Sequence, residues 1–449
     1  MDERAKIPVS LPHPNPTVSY WQDPPDPIAD HRTTPDLPSS ADTVIIGSGI
    51  TGAAVAWNLL QGANPGAILM FEARQACSGA TGRNGGHTKH ASYRTFPSHL
   101  AAHGAHTAVQ IARLEHANML AVHAFARDRG IDCDLHACPT VDVVLDGAEW
   151  ESAQASVAAV RAAFQSPGQA EAGYTLYSAA EVRERFHVRH EDGVFGGREE
   201  KVLGGTNTAV TGLTRRKEGG KKEGGFCWEV QTPRGIVRAR RVVLATNGYT
   251  AAVWPRFQGA VVPLRGQVTA QRPGRAMPAG GCLPTTYSFI YDKGYEYMVA
   301  RPQGSRFAGD IVMGGGLVRA PDNGLMEFGT TDDSVVNEDI SGYLREATGR
   351  YFGSAWGEDH PEERVRSDWT GIMGFSPDGF PFVGEVPGEK GLWASCGFQG
   401  HGMVLCWMCA RALVDMMEGR DGEQLREWFP DVFRINEERL AKRFRGRLY

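Results

Sequence analysis

DTVIIGSGITGAAVAWNLLQGANPGAILMFEAR, residues 42 to 74, is the stretch that decides the fold. An apolar run, a glycine turn, an Ala-rich helix and a second apolar run ending in an acid make a βαβ unit built for a dinucleotide. Gly47 permits the tight turn, Gly49 lets backbone approach a pyrophosphate, and Gly52 lets the helix sit close on the sheet. Ile50 and Thr51 open the helix, whose partly positive N-terminus faces the phosphates. Glu72 stands where a carboxylate accepts both ribose hydroxyls, with Ala73 and Arg74 beside it. A Rossmann-like α/β domain is the expectation.

The next segment, Cys77-Ser-Gly-Ala-Thr-Gly-Arg-Asn-Gly-Gly-His87, exposes backbone amides through Gly79, Gly82, Gly85 and Gly86. Thr81, Arg83 and Asn84 add donors. The loop suits a ligand's phosphates or ring edge, and its composition equally suits a flexible surface loop.

At 449 residues the chain is long enough for two or three domains, and 41% hydrophobic with 22% charged residues is the composition of a soluble globular protein. A net charge of -5 recommends neither nucleic acid nor an anionic membrane as partner. No apolar run approaches a membrane span, and Met-Asp-Glu-Arg-Ala-Lys at the start lacks the apolar core of a signal peptide, so a reducing, cytoplasmic setting is expected. The eight cysteines are scattered. Cys406-Trp-Met-Cys409 lies in an apolar run and reads as core packing, so no metal site is expected.

Residues 1 to 40 are dense in proline, which argues for an extended arm without helix, anchored to the body by Tyr20 and Trp21. Residues 97 to 130 read as a long helix closed by Gly130, with its histidines on a solvated or packed face. A strand at 140 to 145, helices at 148 to 164 and 179 to 186, and a strand-like segment at 193 to 197 follow. Residues 215 to 225 form a charged hairpin tip. Arg241-Val-Val-Leu-Ala-Thr-Asn-Gly-Tyr249 is a buried strand ending in a polar turn, where Thr246 and Asn247 belong at the crevice of an open sheet. Residues 261 to 330 look antiparallel; Tyr297 and its aromatic neighbours line a pocket or form ordinary sheet core. Trp369 to Gly384 is strand, turn and strand. Leu392 to Leu405 is a strand running through glycines into a helix, a second anion site.

Together these motifs resemble the FAD-dependent oxidoreductases of the D-amino-acid oxidase, glycine oxidase and sarcosine oxidase superfamily, with the γ-glutamylputrescine oxidoreductase type and its fungal members as the nearest branch. The resemblance rests on Gly47 to Gly52 with Glu72, Ala80 to His87, Ala245 to Tyr249, Pro263 to Gln267, Thr370 to Gly374 and Gly400 to Met403, with Ser19 to Trp21 in the arm. It implies a discontinuous FAD domain (41–97, 205–262, 366–449) behind a Pro-rich arm (1–40), and an α+β substrate domain with an antiparallel sheet (98–204, 263–365). It further implies that Glu72 holds the adenosine ribose and Val210 meets adenine through its backbone. Arg83, Asn84, Gly85 and Gly86 would run beside pyrophosphate and isoalloxazine, and Gly371, Gly400, Gly402 and Met403 would approach the flavin. The implied reaction oxidises the carbon beside an amine nitrogen by hydride transfer to flavin N5, the imine then being hydrolysed and O2 or another acceptor reoxidising the flavin. His401, Arg265 and Tyr297 are the catalytic candidates, a helix-capping or flavin-contacting role fitting His401 at least as well.

Departures from the family pattern sharpen the expectation. Met373 stands where amino-acid oxidases commonly carry a carboxylate-clamping arginine, and Val404 where the sarcosine oxidase type has lysine. An amine or N-substituted amine is therefore expected, with Arg265 or Lys293 as the replacement charge for any carboxylate. Trp369 to Gly374 contains no cysteine, so non-covalent FAD is expected. The segment Arg198-Glu-Glu-Lys-Val-Leu-Gly-Gly205 is shorter than the helix that relatives place there. That motivates either a mis-spliced gene model or a flavin-binding but catalytically degenerate relative; a further alternative, implied by what some relatives do, is an enzyme oxidising a hydroxyl carbon.

Overall fold

β1 (Ser40–Ile46) lies between β2 (Ile68–Phe71) and the much later β7 (Gly235–Leu244), parallel to both. A parallel strand in this position must bury both faces, and the apolar run of Val44, Ile45 and Ile46 supplies both. Ile45 and Val243 turn toward α2 (Ile50–Leu60), α3 (Ser92–Asp128) and α9 (Cys406–Met417). Val44, Ile46, Val242 and Leu244 turn into the opposite core with Phe71, Phe257 and Leu440. Each such side chain contributes about 1.5–3 kcal/mol by leaving water. β14 (Leu392–Cys396) continues the sheet in parallel beyond β7, and β13 (Phe382–Glu385) closes that edge antiparallel. β6 (Trp228–Thr232) and β5 (Gly212–Arg215) extend it antiparallel from the first half of β7.

In the computed structural model the described residues are all except 34, 91, 165–171, 190–194, 199–208, 216–224, 226, 279–282, 293 and 446–449. The shortened segment up to Gly205, the hairpin tip and Lys293 therefore lie outside them, the first apart from Arg198, the second apart from its flanks.

The second sheet runs in the order β12 (Val365–Phe375), β8 (Val262–Gln271), β11 (Ile311–Gly315), β10 (Gly294–Ala300), β9 (Thr286–Tyr291), β3 (Pro139–Val144) and β4 (Phe195–Arg198). It is antiparallel except where β3 joins β9. One face packs on α8 (Glu338–Phe352) through Tyr287, Phe289, Met298, Ile311 and Met313. The division proposed at residue 366 falls inside β12, whose whole length pairs with this second sheet.

α4 (Gly147–Ala163) starts at the Asp146 cap, and α5 (Ala179–Arg185) starts with a capping box from Ser178 and Glu181. Short helices α6 (Thr250–Val253), α7 (Pro321–Gly324), α10 (Glu423–Trp428) and α11 (Glu437–Ala441) complete the described set.

Two expectations are corrected. The arm does contain helix, the single turn α1 (Asp2–Ala5), which precedes its first proline and carries Asp2 and Glu3 at its positive end. α3 begins at Ser92 rather than 97, accommodates Pro97, and breaks at Gly104, whose φ is +78°. Gly130, at φ +58°, follows its end as expected.

Candidate functional site

The glycine turn after β1 leaves no room for side chains. A Cβ on Gly47 would lie 2.5 Å from the Ala245 carbonyl oxygen, and one on Gly52 would lie 1.9 Å from the Gly47 carbonyl oxygen. Gly47 also adopts φ +105°. α2 therefore starts hard against the ends of β1 and β7. Its N-cap, Gly49, offers no side-chain cap; instead Thr81 Oγ1 accepts from the Ile50 amide at 3.1 Å. That bond draws the loop of residues 80–87 onto the helix N-terminus, so the two glycine motifs form one cradle. Glu72, beyond β2, accepts from the Ser48 amide (3.1 Å) and hydroxyl (2.6 Å) and from the Arg74 amide (3.2 Å). Val210 is buried in the core beneath β1. A helix start whose own N-cap has no side chain, backbone without side-chain obstruction and a carboxylate at the strand end fit the ADP half of a dinucleotide.

From residue 83 the same loop crosses the second sheet along one row of register partners: Trp369, Val268, Gly314, Tyr297, Ser288 and Asp142. Directly opposed residues share a face, so this row presents its side chains together. Trp369 Nε1 donates to the Arg83 carbonyl at 2.8 Å. The Tyr297 ring lies so close to Gly85 that a Cβ there would stand 2.1 Å from its Cε2. The ring reaches this position across Gly314, where a Cβ would stand 2.3 Å from the phenol oxygen. Lys89 donates to Ser288 Oγ at 2.8 Å and pairs with Asp142, which also accepts from Tyr93 at 2.6 Å. Burial pushes the Lys89 ammonium down, while Lys89 and Arg94 hold the Asp142 carboxyl at about 2 against its own burial. Burial likewise pushes the Tyr297 phenol up.

The ends of β7, β12 and β14 meet nearby. Asn247 Oδ1 accepts from the amides of Gly397 (3.1 Å) and Phe398 (3.2 Å), and the Gln399 amide donates to the Gly374 carbonyl at 2.9 Å. Thr246 and Thr250 share a hydroxyl contact of 2.9 Å. A Cβ on Gly371 would lie 3.0 Å from Arg83 Cβ. The Met373 thioether fills the space between Gly266 and Gly400, whose Cβ positions would lie 2.8 Å from its Cε and 3.2 Å from its Sδ. His401 Nδ1 lies 2.9 Å from the Gln399 carbonyl oxygen, which fixes the proton on Nδ1 and leaves Nε2 as an acceptor. Burial lowers its pKa, with a smaller contribution from Arg94. Gly402 and Met403 form a 3-10 turn ahead of α9, braced by Asn118: its Nδ2 donates to the Met403 carbonyl (3.2 Å) and its Oδ1 accepts from the Met408 amide (2.9 Å).

Three arginines are placed differently from expectation. Arg265 is turned to the opposite face of the second sheet from Tyr297. It binds Glu327 at 2.6 and 3.2 Å and the Asp332 carbonyl at 2.9 Å, so its charge does not replace a substrate clamp. Arg74 gives both terminal nitrogens to Asp333 at 3.0 Å. Arg83 turns its guanidinium to the Thr370 carbonyl (2.6 Å), to Thr17 and toward Asp333 (3.6 Å). Only the backbone of Arg74 and Arg83 remains for a cofactor. Asp333, Asp142, Ser288, Lys89 and Asn118 escaped the sequence reading because no motif surrounds them. Cys406 and Cys409 pack in the core with α2. His99 and His103 set their rings 5.3 Å from Phe380, and His123 meets Thr88 at 3.4 Å. Among the described residues, no group of three or more His, Cys, Asp or Glu is placed to hold a metal ion, and no helix is long and apolar enough to cross a membrane.

A sequence model of the FAD dependent oxidoreductase family, DAO, matches residues 42–202 and 204–416. A glycine oxidase from Pseudomonas aeruginosa is 26% identical over 194 residues, covering 43% of this chain and 45% of that protein. The corresponding enzyme of Pseudomonas putida is covered over 49% of its length, so the chain spans about half of the glycine oxidases it matches. "Probable oxidoreductase OrdL" from Rhizobium meliloti is 23% identical over 451 residues, 90% of this chain and 91% of that protein. Among solved structures, L-amino acid deaminase from Proteus vulgaris lacking its specific insertion superposes with a TM-score of 0.63 at 16% identity, over 91% of this chain and 96% of the other. Glycine oxidase from Geobacillus kaustophilus gives 0.62 at 17% identity, over 89% and 99%. These two share the fold.

Proposed function

Because the chain belongs to the DAO family of FAD-dependent oxidoreductases, we propose that it oxidises the carbon next to the nitrogen of an amine, N-substituted amine or amino acid, giving an imine that water hydrolyses. The observation that carries the preference for an amine without a clamped carboxylate is Met373. An apolar thioether fills the gap between Gly266 and Gly400, while Arg265 is held by Glu327. Similarity to glycine oxidases supports a substrate with nitrogen on the reacting carbon.

Bound FAD supplies the two-electron acceptor for this oxidation, renewed by O2 or another acceptor. The cradle residues Gly47, Gly49, Ile50, Thr51, Gly52 and Glu72 would hold its ADP half. The backbone of Ala73, Arg74, Thr81, Asn84, Gly85 and Gly86, with Thr246, Asn247, Gly371, Gly400, Gly402 and Met403, would hold the rest, Val210 adding its backbone near adenine. His401, kept neutral by burial, would accept a proton from the substrate ammonium at Nε2 and so deliver the neutral amine that oxidation requires. Tyr297 would wall the site and fix the amine's orientation, since positioning is worth several orders of magnitude in rate. A cytoplasmic location, O2 or a second acceptor as electron partner, and the absence of a nucleic-acid partner belong to the same reading.

Anaerobic bleaching of the flavin across polyamines, N-methyl amines, amino acids and polyols tests it. Bleaching by amines is the expected outcome. Bleaching by hydroxyl compounds alone would move the reaction to a hydroxyl carbon, and yellow protein that none of them bleaches would mark a binding-only relative.

A further inference from the structure

The N-terminal arm bonds the proposed cofactor loop at Gly82, Arg83 and Asn84, and the chain leading into it at Arg74 and Ala76. Ser19 Oγ donates to the Gly82 carbonyl at 2.6 Å, and Trp21 Nε1 donates to the Asn84 carbonyl at 2.6 Å. Gln22 Nε2 donates to the Ala76 carbonyl at 3.0 Å, and its carboxamide lies 3.1 Å from where a Cβ on Gly82 would sit. Thr17 takes the Arg83 guanidinium through its hydroxyl at 2.8 Å and through its carbonyl, and the His13 carbonyl takes Arg74 at 3.0 Å.

The arm is itself fastened to the second sheet. The Tyr20 ring stacks on Trp369 at 6.1 Å and 12°, and its hydroxyl donates to Asp310 at 3.0 Å. Pro12, Pro14 and Pro16 remove donors and stiffen the chain, which keeps this segment from forming a helix of its own. It fixes the loop from outside while Tyr297 and Trp369 fix it from the sheet.

We propose that Ser19 and Trp21 are positioning residues that hold residues 80–87 in the shape that binds FAD, so that arm docking and cofactor binding stabilise one another. This rests on the assignment of that loop to FAD. Loop carbonyls left without donors would repack or rotate, and peptide planes rotated at 82–84 would carry Gly85 and Gly86 away from the cradle. Because coupling between two binding events is reciprocal, FAD must also tighten the arm.

The test starts from purified holoprotein, stripped of flavin and titrated with FAD by fluorescence quenching, while chymotrypsin cleavage after Tyr20 or Trp21 is timed with and without FAD. Combined Ser19→Ala and Trp21→Phe should raise the FAD dissociation constant at least tenfold, whereas Val18→Ala, at an exposed arm position, should leave it unchanged. FAD should slow cleavage at least fivefold. Equal affinity of the double variant, within twofold, or equal cleavage rates in wild-type protein would overturn the proposal. If the double variant does not fold, the wild-type cleavage rates decide alone. Wild-type protein that takes up no FAD would instead overturn the FAD assignment of the loop, a result distinct from FAD binding that ignores the arm.

Discussion

Arg74 and Asp333 meet in two parallel bonds of 3.0 Å, Nη1 to Oδ1 and Nη2 to Oδ2, with the carboxylate fully buried. Arg83 reaches the same carboxylate at 3.6 Å, so one acid balances two guanidiniums. Burial still lowers Arg83 to about 10. Asp333→Asn keeps the shape and removes the charge that both buried arginines share, leaving Arg74 only the more distant Glu72. Stability should fall by about 3–5 kcal/mol, read as a lower urea midpoint. An unchanged midpoint would mean that water or a neighbour carries the balance.

Gly85→Ala places a methyl inside the Tyr297 ring, and nothing about that ring's seat on Gly314 lets it retreat. The variant should lose bound flavin absorbance. Adding Tyr297→Ala should restore binding while depressing turnover, because the space returns without the wall. Flavin loss that persists in the double variant would show that the added methyl, not the displaced ring, is what excludes the flavin.

Acid should weaken the fold from about pH 6.5 downward, above the ordinary carboxylate range. Burial, then His116, holds His90 at about 4, and burial, then His103, holds His99 at about 4. In the unfolded chain both bind protons below about 6.5. Their stabilisation is complete above that value and is lost as pH falls toward 4, because the unfolded state gains protons first. Urea midpoints should decline across that window, and His90→Gln or His99→Gln should flatten the decline.

FAD should leave with the supernatant when the protein is precipitated by acid, since residues 369 to 374 offer no thiol. Yellow colour in the washed pellet would require a covalent link elsewhere in the chain.

The cradle was legible in the sequence because backbone contact at Gly47 and Gly52 tolerates no other residue, which writes the geometry directly into the motif. The row from Trp369 to Asp142 was not. Its members lie on β12, β8, β11, β10, β9 and β3, and only strand register aligns them, which spacing along the chain does not encode. Arg265 looked available for the same reason, since its partner Glu327 lies 62 residues away in a single 3-10 turn, Leu325–Glu327. Asp333 sits in Thr-Thr-Asp-Asp-Ser, a run without periodicity or motif.

That row also sets an order of events during synthesis. The loop at 83–89 emerges early, yet one end of its track is β3 and the other is β12, made after most of the chain has left the ribosome. Until Trp369 arrives, Arg83 has neither its carbonyl donor nor its Thr370 acceptor. On the proposed assignment of this loop to FAD, a nascent chain stopped before Val365 should remain colourless however much FAD surrounds it.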